Sequence, residues 1–267
     1  MLAELDDAEI HLSRARMALR NAVAVVPHPG ADGLAAGAIA LRVRRERAAD
    51  AVLGLDPFLA DAELPHGPLA ILDWGMRALD RPALIVDHGI PEVAPREEQV
   101  FLSGFGEVPP VPSAALMRRV DPEAPLWLAE IGIAADVSAE HVSNDARQLA
   151  ALADAPRRVP GGLVLTALEL LTEHDDPVAA LSDRRITALD EARREWKGAL
   201  EQVMRVEPVE LGDVSCVAFD SEYVLEDVVA RAWALRLPAL QVVAVRNGEH
   251  LGGSTRLPPE RLAGLIR

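Results

Sequence analysis

Val25-Val26-Pro27-His28-Pro29-Gly30-Ala31-Asp32-Gly33-Leu34-Ala35-Ala36-Gly37-Ala38 passes from an apolar run, through turn-forming and ionisable residues, into a series of small residues. A short continuous apolar run is the mark of a parallel strand buried on both faces. It predicts a strand over Ala22–Val26 and a helix from Leu34 to Ala49. Two further runs stop in the same way: Leu69–Leu72 at Asp73, and Leu84–Val86 at the pair Asp87–His88. Ligand sites in open α/β sheets form just beyond the carboxyl ends of such strands. If the three strands are neighbours, carboxylates and imidazoles from distant parts of the chain converge on one crevice. Such a crevice suits a hard, multiply charged metal ion.

Working outward, the first half alternates strand, loop and helix, which predicts an α/β fold with a parallel sheet flanked by helices. Val100–Leu102 is a further strand candidate, and Ala114–Arg119 and Leu126–Ala135 are helix candidates, the second ending at Asp136. From Ala139 to Arg205 the pattern is helical, broken at Pro156–Gly162 and near Pro177, and Ser182–Arg205 reads as one long connecting helix. After Pro208, Val214–Phe219 and Leu240–Val245 read as strands and Val224–Leu235 as a helix. Asn247–Gly248 is a hairpin turn signal leading into His250–Leu257. The expected organisation is a catalytic domain over residues 1–181, a connecting helix over 182–206 and a smaller C-terminal α/β domain over 207–267.

Half of the 267 residues are apolar and the formal net charge is −15. That balance argues against coating long nucleic acid by bulk electrostatics, which rests on phosphate neutralisation by Lys and Arg, although a local basic groove is compatible with it. Lys197 is the only lysine, and the arginines cluster at Arg42–Arg47, Arg118–Arg119, Arg157–Arg158, Arg184–Arg185 and Arg193–Arg194. Such clusters read as solvated helix faces, with phosphate binding as the functional alternative. The lone Cys216 excludes a disulfide framework and a cysteine zinc site and reads as an inert core thiol. Met1–Arg20 reads as an amphipathic helix and not a signal peptide. No apolar run approaches the roughly 18 residues of a membrane span. A cytoplasmic location is the expectation.

The segment Val25–Ala38 resembles the first motif of the DHH phosphoesterase superfamily, an apolar strand followed by H-x-D-x-D-G and a small-residue helix. Ile71-Leu72-Asp73-Trp74-Gly75 resembles the second, an Asp that ends the next strand. Leu84-Ile85-Val86-Asp87-His88-Gly89-Ile90-Pro91 is similar to the third, D-H-H, with Gly89 at the second His. Leu128-Ala129-Glu130-Ile131-Gly132-Ile133-Ala134-Ala135-Asp136 is similar to the fourth, L-A-x-I-G-x-x-A-D. The C-terminal part resembles the substrate-binding domain associated with this family. There Gly252-Gly253-Ser254-Thr255-Arg256 stands where the family carries a phosphate-binding strand, while the closing G-G-G-H has no counterpart, so this domain reads as shortened.

The resemblance implies a RecJ-like or oligoribonuclease-like hydrolase with one or two Mn²⁺ (or Mg²⁺) ions. Two divalent ions about 3.5–4 Å apart can both generate the nucleophile and neutralise the phosphoryl oxygens. By the resemblance, Asp73 bridges the ions, Asp32, His88 and Asp136 complete one site, and His28 belongs to the other. Asp87 and His88 are the candidate catalytic pair, with Asp87 orienting the strand end or a ligand. Ser254 and Arg256 are candidates for substrate phosphate. Gly30 replaces the middle carboxylate of the first motif and Gly89 the second His, so one metal site reads as intact and its neighbour as depleted.

Each residue also has a plainer reading. Asp32, Asp73 and Asp136 could be helix caps, His88 a core imidazole, and Ser254 and Arg256 hairpin residues. The expected partners are a short oligonucleotide or nucleotide substrate, with single-stranded nucleic acid and a second copy of the chain carried as further partners, and no membrane. The function expected is phosphoester hydrolysis in a cleft between the domains. The alternative is a catalytically inactive scaffold that senses nucleotides or binds a partner. A Rossmann-type nucleotide binder is disfavoured, because no G-x-G-x-x-G follows the first strand.

Overall fold

The apolar runs become strands that are covered on both sides. In a computed structural model, which describes residues 7–53, 64–75, 79–91, 93–137 and 141–253, β1 (Ala24–Pro27), β2 (Leu69–Leu72), β3 (Ala83–Asp87) and β4 (Gln99–Ser103) form one parallel sheet in that order. Successive side chains point to opposite faces. Val25, Ala70, Leu72, Leu84 and Val86 enter one apolar cluster, while Ala24, Val26, Leu69, Ile71, Ala83 and Ile85 enter another. Burial of both sets is why the strands carry no polar alternation. The fold class is α/β with helices flanking a parallel sheet.

The helix after β1 is the centre of the larger cluster. α2 (Ala31–Arg44) is buried continuously from Ala31 to Leu41, as expected of a core helix that is apolar all round. It packs on β1 and against α3 (Ser113–Val120), α4 (Leu126–Asp136) and α6 (Val164–Glu173). A Cβ at Gly33 would lie 2.5 Å from the carbonyl oxygen of His28, so only glycine lets the helix start so close to the chain leaving β1. The helix begins at Ala31 and ends at Arg44, earlier at both ends than its sequence pattern predicts. Arg45 turns into the left-handed region (φ 57°), with its N–H directed back to the carbonyls of Leu41 and Arg42. α1 (Asp7–Asn21) precedes β1, and the helical stretch after α4 resolves into α5 (Asn144–Ala153), α6, α7 (Pro177–Leu181) and α8 (Arg185–Val203).

The chain divides into two compact units, Met1–Arg157 with Leu163–Leu189, and Arg158–Gly162 with Asp190–Arg267. In the second unit β5 (Val209–Leu211), β6 (Val214–Phe219), β7 (Gln241–Arg246) and β8 (His250–Gly253) form a four-stranded sheet in sequence order. Its central pair is parallel, connected through α9 (Glu226–Arg236), and its outer pairs are antiparallel. Val217, Phe219, Leu225, Val229, Val242 and Ala244 form its core with Val203 of α8. Arg158 is buried there against the Asp227 carboxylate at 2.7 Å, which gives it a structural task. Cys216 is half-buried, and burial pushes its thiol pKa up. Among the described residues no helix is long and apolar enough to cross a membrane.

Candidate metal centre

Strand register delivers the polar side chains. Pro27 pairs with Leu72, and Leu72 with Val86, so β1, β2 and β3 end side by side. The ladder runs one step further: the His28 N–H donates to the Leu72 carbonyl (2.9 Å) and the Asp73 N–H to the Val86 carbonyl (2.8 Å). His28 and Asp73 are thereby held on adjacent strand ends, about 4.8 Å apart in the pairing direction. Asp73 takes the left-handed conformation (φ 66°), which Asp tolerates better than most residues.

Asp73 faces a histidine on each side. Its Oδ2 lies 3.6 Å from His28 Nδ1 and its Oδ1 lies 3.4 Å from His88 Nε2. His88 Nε2 is also 3.8 Å from Asp32 Oδ2 and 3.7 Å from Asp136 Oδ2. Asp136 ends α4, and Asp32 is the second residue of α2. Donor atoms of Asp32, Asp73 and His88 all lie within 4.8 Å of one another. Side chains from two strand ends, one helix start and one helix end thus meet around one imidazole nitrogen.

Asp32 does not cap its own helix. The Ser113 N–H donates to its Oδ2 (2.7 Å) and the Ala114 N–H to its Oδ1 (2.8 Å). These are amides of the first turn of α3, whose N-cap is Pro112, a residue without a side-chain acceptor. Asp32 satisfies donors that a helix N-terminus leaves unpaired, and the helix dipole favours its charge. Each carboxylate oxygen has a second acceptor site. Gly132 of α4 makes this seat possible, since a Cβ there would lie 2.1 Å from Asp32 Oδ1. The glycine in the fourth motif is therefore explained by the approach of α4 to Asp32. Asp136 is the last residue of α4, and residues 138–140, ahead of which the capping alternative would place it, lie outside the described residues.

Electrostatics show what this cluster lacks. Burial, then the neighbouring Asp73 and Asp136, push the Asp32 pKa well above the usual carboxylate range. Burial and then Asp73 push Asp136 up to about 6. The hydrogen bond to Asp73 and the nearby carboxylate charges raise His88 to about 9, against an opposing effect of burial. Three carboxylates crowd a space that holds one titratable cation, and a proton on His88 serves as the counter-charge. Hard oxygen donors plus one imidazole are a set that fits a divalent ion such as Mn²⁺ or Mg²⁺.

The remaining sequence candidates occupy different places. Asp87 uses both oxygens on loop amides, accepting from Gly75 N–H (2.6 Å) and Gly89 N–H (2.5 Å). It ties the loop after β2 to the loop after β3, and so holds Asp73 and His88 in mutual register. His28 Nδ1 accepts from the Gly30 N–H (3.1 Å), and its ring meets Trp74 edge-on at 5.0 Å. Burial lowers the His28 pKa despite the pull of Asp73, so the ring is neutral at neutral pH. Trp74 is buried in the core cluster beside His28. Ser254 and Arg256 lie outside the described residues.

Three further residues join the site, and of these the sequence had marked Arg157, within the Arg157–Arg158 cluster. The Ser113 hydroxyl donates to Asp73 Oδ1 (3.1 Å), 40 positions away in the chain. Arg157 and Asp154 stand near the His28 side, where their charges act in opposite directions on His28 and on Asp136. A proline-flanked helix start lacking its own cap, at Pro112-Ser113, was the one local hint that a distant carboxylate is needed there.

No family model and no curated protein matches this sequence. Solved structures do match its fold. RecJ from Thermus thermophilus in complex with Mn²⁺ aligns with a TM-score of 0.60 at 16% identity, over 89% of this chain and 46% of RecJ. An exonuclease RecJ bound to manganese aligns with a TM-score of 0.56 at 18% identity, over 89% of this chain and 80% of that one. The DHH domain of a protein assigned to a family of ribosomal proteins gives 0.58 at 12% identity, over 89% of this chain and 75% of that one. This chain spans less than half the length of the Thermus RecJ. Its fold is that of these RecJ and DHH-domain structures.

Proposed function

We propose that this chain is a divalent-metal-dependent phosphoesterase acting on short oligonucleotides or nucleotides. The observation that carries the reading is His88 Nε2 lying 3.4–3.8 Å from oxygens of Asp73, Asp136 and Asp32 at the carboxyl end of a parallel sheet. In this reading Asp32, Asp73, His88 and Asp136 hold an ion, and His28 stands across Asp73 from it. Mn²⁺ is the first choice, because RecJ proteins of the same fold carry it in their structures, with Mg²⁺ second. A divalent ion held there supplies Lewis acidity toward a phosphoryl oxygen and a nucleophilic water at neutral pH.

The chain's own groups prepare that chemistry. Ser113 fixes the rotamer of Asp73 so that one oxygen faces each histidine. Asp87 is a positioning residue, keeping the loops that carry Asp73 and His88 together. His88 must give up its Nε2 proton before it can act as a ligand, so loading releases a proton. Arg256 and Ser254 are assigned to a more distant substrate phosphate. The net charge of −15 favours a short substrate over a long nucleic acid. The same reading keeps a cytoplasmic location, with single-stranded nucleic acid and a second copy of the chain as further partners.

Protein loaded with Mn²⁺ should hydrolyse a chromogenic phosphodiester and short RNA, and Asp136→Ala should lose both Mn²⁺ affinity and turnover. Absence of turnover on both substrates with Mn²⁺ and with Mg²⁺ would leave the inactive nucleotide-binding scaffold as the better account.

A further inference from the structure

The two sides of Asp73 are built for different cations. On the His88 side, carboxylates surround the imidazole. On the His28 side the chain has Gly30, whose N–H donates to His28 Nδ1 (3.1 Å). A Cβ built at position 30 comes within 2.9 Å of His28 Nδ1 and 3.7 Å of Arg157 Nε. The space a side chain at 30 would enter is therefore bordered by the His28 imidazole and the Arg157 guanidinium. Arg157 follows α5, and its Nε donates to Asp154 Oδ1 at 2.6 Å. Their side chains are 20% and 24% exposed, so solvent reaches the pair while the carboxylate fixes where the guanidinium stands.

A fixed guanidinium repels a second divalent ion at this position, and attracts an anion. Its planar fork of N–H donors matches phosphate oxygens, and it stays charged at every accessible pH. We propose that Arg157 takes the part of a second cation: it binds a non-bridging oxygen of the substrate phosphate on the His28 side of Asp73, beside a single divalent ion held by Asp32, Asp73, His88 and Asp136. This rests on the phosphoesterase reading and deepens it, since it names the group that grips the reacting phosphate. Asp154 acts through Arg157 as a positioning residue.

The test measures two bindings separately. Mn²⁺ stoichiometry is read from the electron paramagnetic resonance of free ion, and inorganic phosphate binding to the Mn²⁺-loaded protein from calorimetry. Wild type should bind one Mn²⁺ per chain and then phosphate. Arg157→Gln should leave Mn²⁺ binding unchanged and weaken phosphate roughly ten- to hundredfold, the loss of a charge-assisted hydrogen bond. Arg157→Lys should fall between the two, and it decides the matter if the Gln variant does not fold. Two ions per wild-type chain, or phosphate held as tightly after Arg157→Gln, overturns the proposal. So does a loss of Mn²⁺ together with phosphate in that variant. A wild-type protein that binds no Mn²⁺ overturns the phosphoesterase reading itself. One bound ion with undiminished phosphate affinity in the variant overturns only the role of Arg157.

Discussion

Two sides of one carboxylate differ in everything but the histidine. Toward His88, Asp73 is joined by Asp32 and Asp136, and the cluster raises the pKa values of all three groups around Asp73. Toward His28 no other carboxylate among the described residues is as close, the ring is neutral, and Arg157 already supplies positive charge. The lesson is that similar residue types at neighbouring strand ends do not make equivalent sites. Charge count separates them: carboxylates crowd the His88 side, and the Arg157 guanidinium stands near the His28 side. Asp73→Asn strikes both sides and gives the largest effect. Asn tolerates the left-handed backbone of position 73, so the fold should survive. Hydrolysis should fall by roughly three orders of magnitude, about 4 kcal/mol at the barrier, in a steady-state assay with saturating Mn²⁺. Substantial residual turnover would mean that Asp73 is not shared.

Steric tolerance should differ between the sides in the same sense. Gly132→Ala puts a Cβ 2.1 Å from Asp32 Oδ1 and 3.1 Å from the Ala114 Cβ. Neither neighbour can retreat, because Asp32 is pinned by two helix amides. Urea unfolding should show a loss of about 1–3 kcal/mol, the usual cost of overpacking, together with weaker Mn²⁺ binding. Gly30→Ala meets Nδ1 (2.9 Å) and Cε1 (3.1 Å) of the His28 side chain, which can turn, and as an N-cap change it should cost about 1 kcal/mol or less. Equal losses in the two variants would show that the His28 side is as tightly built as the other.

pH separates the sides next. The His88 pKa, raised from 6.5 to about 9, contributes stability to the metal-free protein that is complete below pH 6.5 and lost as pH rises through about 9. Asp136, raised from 3.8 to about 6, acts in the same direction: its contribution is complete below 3.8 and lost as pH rises through about 6. The metal-free melting temperature should therefore drop from about pH 4 to about pH 9, the part above pH 6.5 belonging to His88. A divalent ion competes with these protons, so apparent Mn²⁺ affinity should climb over the same interval and level off above about pH 9. Mn²⁺ at a hundred times its Kd adds about 2.7 kcal/mol of stability, enough to follow by calorimetric melting. A flat affinity from pH 6 to 9 would remove His88 from the ligand set.

The strand ends were legible in the sequence because a strand buried on both faces has no polar residue until it leaves the sheet. Val26, Leu72 and Val86 are followed within two residues by His28, Asp73 and Asp87, and parallel register aligns them. What stayed hidden depends on partners far along the chain. That Asp32 caps α3 and not α2 is set by contacts 81 and 82 residues away, and the Ser113 hydroxyl reaches Asp73 across 40 positions. The end of α2 was missed because Arg45, rather than glycine, takes the left-handed position, within a run of arginines that reads as helix. The strand Val209–Leu211 is three residues long, exposed, and paired on one side only, so neither periodicity nor burial marks it.

His28→Ala is the mildest substitution and the sharpest probe of the asymmetry. The ring contributes an edge-on contact with Trp74, worth about 0.5–1.5 kcal/mol, and its loss should appear as a small drop in melting temperature. Because His28 is neutral at neutral pH, its removal takes away no charge, and the rise of Mn²⁺ affinity with pH set by His88 and Asp136 should persist unchanged. Apparent Mn²⁺ affinity should fall by less than about tenfold, or about 1.4 kcal/mol, at constant stoichiometry. If the variant instead binds one ion fewer than wild type, His28 was holding an ion of its own. Charge count would then not be what distinguishes the two sides of Asp73.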